Sequence, residues 1–224
     1  MSAQLAQLRN HYMPVSRPGA VNPSFYELLL RSNNTETMFR PDVFVSRLCH
    51  DDLRSLYRMQ LRAAAHDLPD LSVLAVNLED RHRECLLPVL LERSAPWALD
   101  PSRIIIELTT LPSRHTIRTL KYFGFTVALD DLGREAFPMD LLCEDALDIL
   151  KLDKTMVHNL HRSPQCSLLR GLLTLFTSLG KETVVEGIET TEQLKLASEF
   201  GASYLQGYLI GRPAPQLRQV RQPA

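Results

Sequence analysis

Apolar residues in this chain gather into short, nearly unbroken runs: SFYELLLR (24–31), LSVLAVN (71–77), RIIIEL (103–108), FTVALD (125–130), LDILKLD (147–153), ETVVEG (182–187) and SYLQGYL (203–209). Unbroken runs, rather than strict in–out alternation, mark strands covered on both faces in a parallel sheet. Segments with helical spacing lie between them. Residues 42–68 read as a helix with a break around His50–Asp52, and residues 81–94 as one interrupted at Pro88. Residues 113–124 end in Gly124, a C-cap. Ser163-Pro164 opens a helix that closes on Gly180, and Thr190 and Gln193 stand at capping-box spacing before a helix that closes on Gly201.

These βα units recur with no shift in composition, which predicts a (β/α) barrel, with a doubly wound sheet as the alternative. The polar residues favour the barrel. Each run carries one inside it or at its C-terminal end: Glu27, Asn77, Glu107, the Asp130–Asp131 pair, Lys151, Glu186 with Glu189, and Gln206. The C-terminal ends of parallel barrel strands converge on one face, so these groups would meet there. Taken singly, each has an ordinary role as a cap, a turn residue or a solvated charge. Jointly, they place more carboxylates together than Lys151 can neutralise, and buried charges need partners. Oxygen-only donors point to Mg²⁺, Mn²⁺ or Ca²⁺.

Composition limits the remaining choices. The chain has 224 residues, 45% hydrophobic and 23% charged, with a net charge of −1. No bulk basic field attracts nucleic acid or a membrane surface. The longest apolar stretches, such as LLPVLL (86–91), fall short of a membrane span, and the N-terminus has no secretory signal. Cys49, Cys85, Cys143 and Cys166 are too scattered for a zinc site or disulfide framework. The expectation is one cytoplasmic domain over residues 1–216 with a frayed tail at 217–224. His158 and His161 read as loop residues.

In this order the motifs resemble the EAL-domain family, bacterial phosphodiesterases that open cyclic di-GMP to linear pGpG. YELLLR (26–31), AVNL (75–78), IELT (106–109), ALDDLG (128–133), LKLD (150–153), VVEGIET (184–190) and YLQGYLIGRP (204–213) carry the resemblance, which runs from about Tyr12 to Pro215. HYMPV (11–15) is a weaker match, with Met13 in place of a usual Gln. The resemblance implies a modified TIM (β/α)₈ barrel with one antiparallel strand. It implies two Mg²⁺ or Mn²⁺ sites, with Glu27, Asn77, Glu107 and Asp130 on the first metal and Asp130, Asp131 and Glu186 on the second. Lys151 and Gln206 resemble the groups that hold the attacking water, Glu189 a supporting carboxylate, and Arg31 the arginine on a substrate phosphate. Ca²⁺ is expected to inhibit, and a homodimer is expected.

Two departures concern one loop. Arg134-Glu135-Ala136-Phe137-Pro138 replaces a small, Gly/Ser-rich segment, and Thr110 replaces the glutamate that anchors it in the family. They leave two readings: a slow or regulated hydrolase, or a module that binds cyclic di-GMP or a protein partner, such as a transcription regulator, without turnover.

Overall fold

The structure adds one strand to the seven that the apolar runs predict. In the computed structural model, the described residues are 7–33, 39–68, 72–92, 94–95, 98–109, 111–134, 139–157 and 163–216. Thr110, residues 135–138, His158, His161 and the 217–224 tail lie outside them. The extra strand is β1 (Leu8–Ser16), followed by β2 (Phe25–Ser32), β3 (Leu74–Leu78), β4 (Ile104–Leu108), β5 (Thr126–Leu132), β6 (Ile149–Leu152), β7 (Glu182–Val185) and β8 (Tyr204–Gln206). They close into a barrel in chain order. β1 runs antiparallel to both neighbours, β2 and β8, and every other neighbouring pair is parallel.

Helices α1 (Pro41–Val45), α2 (His50–Asp67), α3 (Arg83–Leu90), α4 (Arg114–Tyr122), α5 (Ser163–Ser178) and α6 (Thr191–Glu199) accompany the strands. The break expected around His50–Asp52 falls just earlier, between Val45 and His50. Pro88 does not interrupt α3, which runs through it and stops at Leu90. The capping box at Thr190 and Gln193 forms as expected. α2 turns Leu53, Leu56, Tyr57, Leu61 and Ala64 inward, the 3–4 residue spacing of a helix packed on one side.

Period-two alternation organises the barrel interior. Val15, Phe25, Ala75, Ile105, Ala128, Ile149, Val184 and Tyr204 form one apolar cluster, with one residue from each of the eight strands. The next inward position lies two residues on along each parallel strand, and two back along antiparallel β1. Those positions are Met13, Glu27, Asn77, Glu107, Asp130, Lys151, Glu186 and Gln206. The apolar layer is thus the floor beneath a polar layer.

Candidate active site

The polar layer is built around one lysine. The Lys151 side chain is 1% exposed, and its Nζ lies 2.9 Å from Glu107 Oε2, 2.9 Å from Glu186 Oε1, 3.3 Å from Asp130 Oδ2 and 3.8 Å from Glu27 Oε2. Asn77 Nδ2 donates to Glu27 Oε1 at 3.0 Å, and Gln206 Nε2 donates to Glu27 Oε2 at 2.5 Å. The two amides, from β3 on one side of β2 and β8 beyond β1 on the other, therefore fix the two oxygens of the Glu27 carboxylate.

Electrostatics divide these carboxyls. Burial would raise Glu27, but Lys151 and the two amide donors outweigh it and hold the group below the usual range. Burial drives Glu107 well above that range, and Glu27 and Asp130 add to it against the pull of Lys151. Burial, with Asp130 and Glu27, pushes Glu186 up to about 8. Asp130 is raised by burial, Glu27 and Asp131. Burial opposes the charge of Lys151, yet its four carboxylate neighbours hold it well above its ordinary value.

Asp130 and Asp131 occupy an irregularity at the end of β5. The register with β6 shifts between Leu129 and Leu132, a bulge that re-aims side chains. Asp131 has φ 59°, the one positive value at a non-glycine among the described residues. Aspartate is among the few residues that tolerate this region. Its N–H donates to Asp130 Oδ1 at 2.8 Å, and its own Oδ2 sits 3.1 Å from Arg134 Nη1. Gly133 follows at φ 97°, where an added Cβ would meet the Met156 sulfur at 2.7 Å.

The donor chemistry suits a hard divalent cation. Both Glu107 oxygens and Gln206 Oε1 are buried without a hydrogen-bond partner among the described residues, and Lys151 makes ion pairs but no well-directed hydrogen bond. The Lys151 ammonium at 2.9 Å answers part of this for Glu107 Oε2, and buried oxygens short of donors remain costly unless further positive charge joins them. Among the described residues no three carboxylate, histidine or cysteine groups are already gathered to hold an ion. They stand spread around the ammonium instead.

The structure therefore brings Glu27, Asn77, Glu107, Asp130, Lys151, Glu186 and Gln206 together. Asp131 stands at the rim. Arg31 lines a cavity of about 330 Å³ that also takes in Glu27, Asn77, Asp130 and Asp131. Glu189 is exposed, and its N–H bonds Gln193 Oε1 at 2.8 Å. Its carboxylate makes no contact with the cluster among the described residues. Glu79 and Thr109 also line the cavity. The sequence reading missed them; each lies two residues beyond a predicted site residue, Asn77 and Glu107, so the alternation seen in the barrel interior could have found them.

A closed eight-stranded barrel with one reversed strand, bearing an oxygen-rich polar layer at the C-terminal strand ends, is a barrel domain whose working face is that layer. The chain belongs to the EAL domain family, whose model matches residues 2–213. It is 32% identical over 222 residues to an uncharacterized signaling protein of Caulobacter vibrioides, covering 92% of this chain and 27% of that one. It is 34% identical over 126 residues to the cyclic di-GMP phosphodiesterase RocR of Pseudomonas aeruginosa, 53% of this chain and 32% of RocR. The chain thus matches less than a third of the length of these relatives. The PaMucR phosphodiesterase in its c-di-GMP complex superposes with a TM-score of 0.81 at 24% identity, covering 94% of this chain and 93% of that one. BlrP1 of Klebsiella pneumoniae, in a calcium and cyclic di-GMP complex, gives 0.81 at 21%, covering 98% and 60%. At these identities the likeness shows the fold. Among the described residues no helix is long and apolar enough to cross a membrane.

Proposed function

We propose that this chain hydrolyses cyclic di-GMP to linear pGpG with Mg²⁺ or Mn²⁺ at two sites. The observation that carries the reading is the buried polar layer, in which four carboxylates surround one lysine and both Glu107 oxygens lack a hydrogen bond. The names of the phosphodiesterase relatives agree with it. Glu27, Asn77, Glu107 and Asp130 would hold one cation, and Asp130, Asp131 and Glu186 the other. Bound cations supply charge for an in-line displacement at phosphorus and lower the pKa of a water. The chain does the rest. Asn77 and Gln206 hold Glu27 in one orientation. Lys151, kept charged by its neighbours, stands where it can orient a hydroxide and balance the growing negative charge. Arg31 on the cavity wall offers a guanidinium fork to a phosphate. Glu189 sits outside this cluster, so a supporting role for it requires the β7–α6 loop to rearrange.

Purified protein with Mn²⁺ or Mg²⁺ should convert cyclic di-GMP to pGpG, and Ca²⁺ should allow binding but block turnover. No product after prolonged incubation would end the hydrolase reading. One observation favours a second reading, a domain that binds cyclic di-GMP or a protein partner without turnover: the ion pair that engages Asp131 with Arg134. Tight binding in Ca²⁺ without turnover in Mn²⁺ would select it.

A further inference from the structure

The β1–β2 hairpin outruns the barrel. β2 pairs with β3 only from Tyr26 to Leu28, whereas it pairs with β1 as far as Leu8↔Ser32. Beyond Leu28 the two strands form a free ribbon with two distinct faces. On one, Leu8 and Leu30 pack with Leu56 of α2, Asn10 Nδ2 donates to the Gln60 carbonyl at 2.9 Å, and Tyr12 donates to Asp67 Oδ2 at 2.7 Å. The other face continues the barrel interior upward, through the pairs Met13↔Glu27, His11↔Leu29 and Arg9↔Arg31.

Two arginines thus stand directly opposite each other, on the same face as Glu27 and past the rim. Like charges directly opposite across a ribbon are unfavourable. Among the described residues neither arginine has a carboxylate partner, and Arg31 donates only to the Leu30 carbonyl, at 2.9 Å. Burial, and then both guanidiniums, depress the basicity of the His11 ring on the same face. The carboxylates nearest Arg31, Glu27 among them, face it across the cavity without pairing with it among the described residues, and two guanidiniums side by side suit an anion that fits between them. Four residues of strand, on the order of 13 Å, separate Glu27 from Arg31, and the long arginine stems reach back over part of that gap. A cyclic dinucleotide has two phosphates on one rigid ring, so seating one over the polar layer leaves the other displaced across the rim.

We propose that Arg9 acts with Arg31 as a two-guanidinium clamp on the phosphate that is not cleaved, which makes Arg9 a positioning residue for the substrate. This rests on the cyclic di-GMP reading of the site. The test is calorimetric titration of cyclic di-GMP in Ca²⁺ into the wild type, Arg9→Ala and Arg9→Lys. Arg9→Ala should weaken binding about tenfold, the scale of one lost charge-assisted hydrogen bond, and Arg9→Lys should recover only part of it. In Mn²⁺, the ratio of kcat/KM for cyclic di-GMP to that for bis(p-nitrophenyl) phosphate, which has a single phosphate, should fall by the same factor, with the loss in KM. Arg9→Ala binding as tightly as wild type, or an equal fall for both substrates, overturns the clamp alone. Wild type that fails to bind cyclic di-GMP overturns both the clamp and the reading beneath it.

Discussion

Glu144 and Glu107 are both buried, with side chains 6% and 0% exposed, yet they are treated in opposite ways. Glu144 follows the short turn Met139–Cys143 and faces α4. It accepts from Arg114 Nη1 at 2.8 Å and from Arg118 Nε and Nη2 at 3.0 and 3.1 Å. The Arg118 hydrogen bonds, backed by Arg114, hold its carboxyl below the usual range against the effect of burial. Glu107, in the barrel mouth, has two oxygens without a hydrogen bond and is driven well above that range. A carboxylate buried to tie elements together comes with its donors in place. One left with a single lysine beside it and no hydrogen-bond donor is what the proposed cation site requires.

Glu107→Ala sharpens this contrast most. Turnover should fall by more than about 100-fold, since losing mere supporting partners of metal ligands already costs about 10- to 100-fold. The thermal midpoint without metal should change little, because relief from burying the carboxyl, and from its repulsion by Glu27 and Asp130, offsets the loss of its 2.9 Å pair with Lys151. Near-normal activity, or a large drop in midpoint, would place Glu107 in the same class as Glu144.

Adding the cation comes next. Mn²⁺ or Mg²⁺ at 100 times its dissociation constant should stabilise the fold by about 2.7 kcal/mol in a thermal melt. The pH dependence follows from Glu186, whose carboxyl is raised to about 8. A raised carboxyl favours the protonated form in the fold, so metal-free stability falls as pH rises toward that value. A bound cation selects the ionised form, so its stabilising effect should grow from about pH 6 to about pH 9. A gain that shrinks over that range would remove Glu186 from the ligand set.

Glu144→Ala tests the other half. Activity should change little, and stability should drop by on the order of 1 kcal/mol, since the exposed arginines rehydrate. The carboxyl is depressed in the fold, so its contribution is present above the ordinary carboxyl pKa and lost as pH falls through the lower, folded value. The difference between variant and wild type should therefore be full at neutral pH and close in acid.

The two regions also differ in how far the sequence displays them. The mouth was legible because Glu27, Asn77, Glu107, Lys151 and Gln206 each interrupt or end an apolar run, and parallel strands bring such positions to one face. The Glu144 network joins residues 26 to 30 positions apart on surface elements and leaves no such pattern. β1 escaped because its polar residues interrupt any apolar run, and the partners of buried Asn10, the Gln60 carbonyl of α2 and the Tyr12 hydroxyl, are visible only in the fold. The β5 bulge escaped as well, since the pair Asp130–Asp131 reads the same in a regular strand. The loop at 135–138 and Thr110, where the sequence reading finds departures from the family pattern, lie outside the described residues.

Arg134 sits where these two behaviours meet, giving the rim carboxylate of Asp131 the kind of partner that Glu144 has. The pair is 3.1 Å long, but the Arg134 side chain is 63% exposed and water competes for it. An exposed pair of this kind contributes below about 1 kcal/mol, a factor of a few in affinity. Arg134→Ser should therefore raise cation affinity and kcat/KM a few-fold, and high salt should erase most of the difference by screening the pair in the wild type. Titrating Mn²⁺ against both proteins at low and high ionic strength checks it. Unchanged affinity would mean that the cation displaces Arg134 at no cost. A fall would mean that the arginine holds Asp131 in its positive-φ conformation for the metal, rather than competing with it.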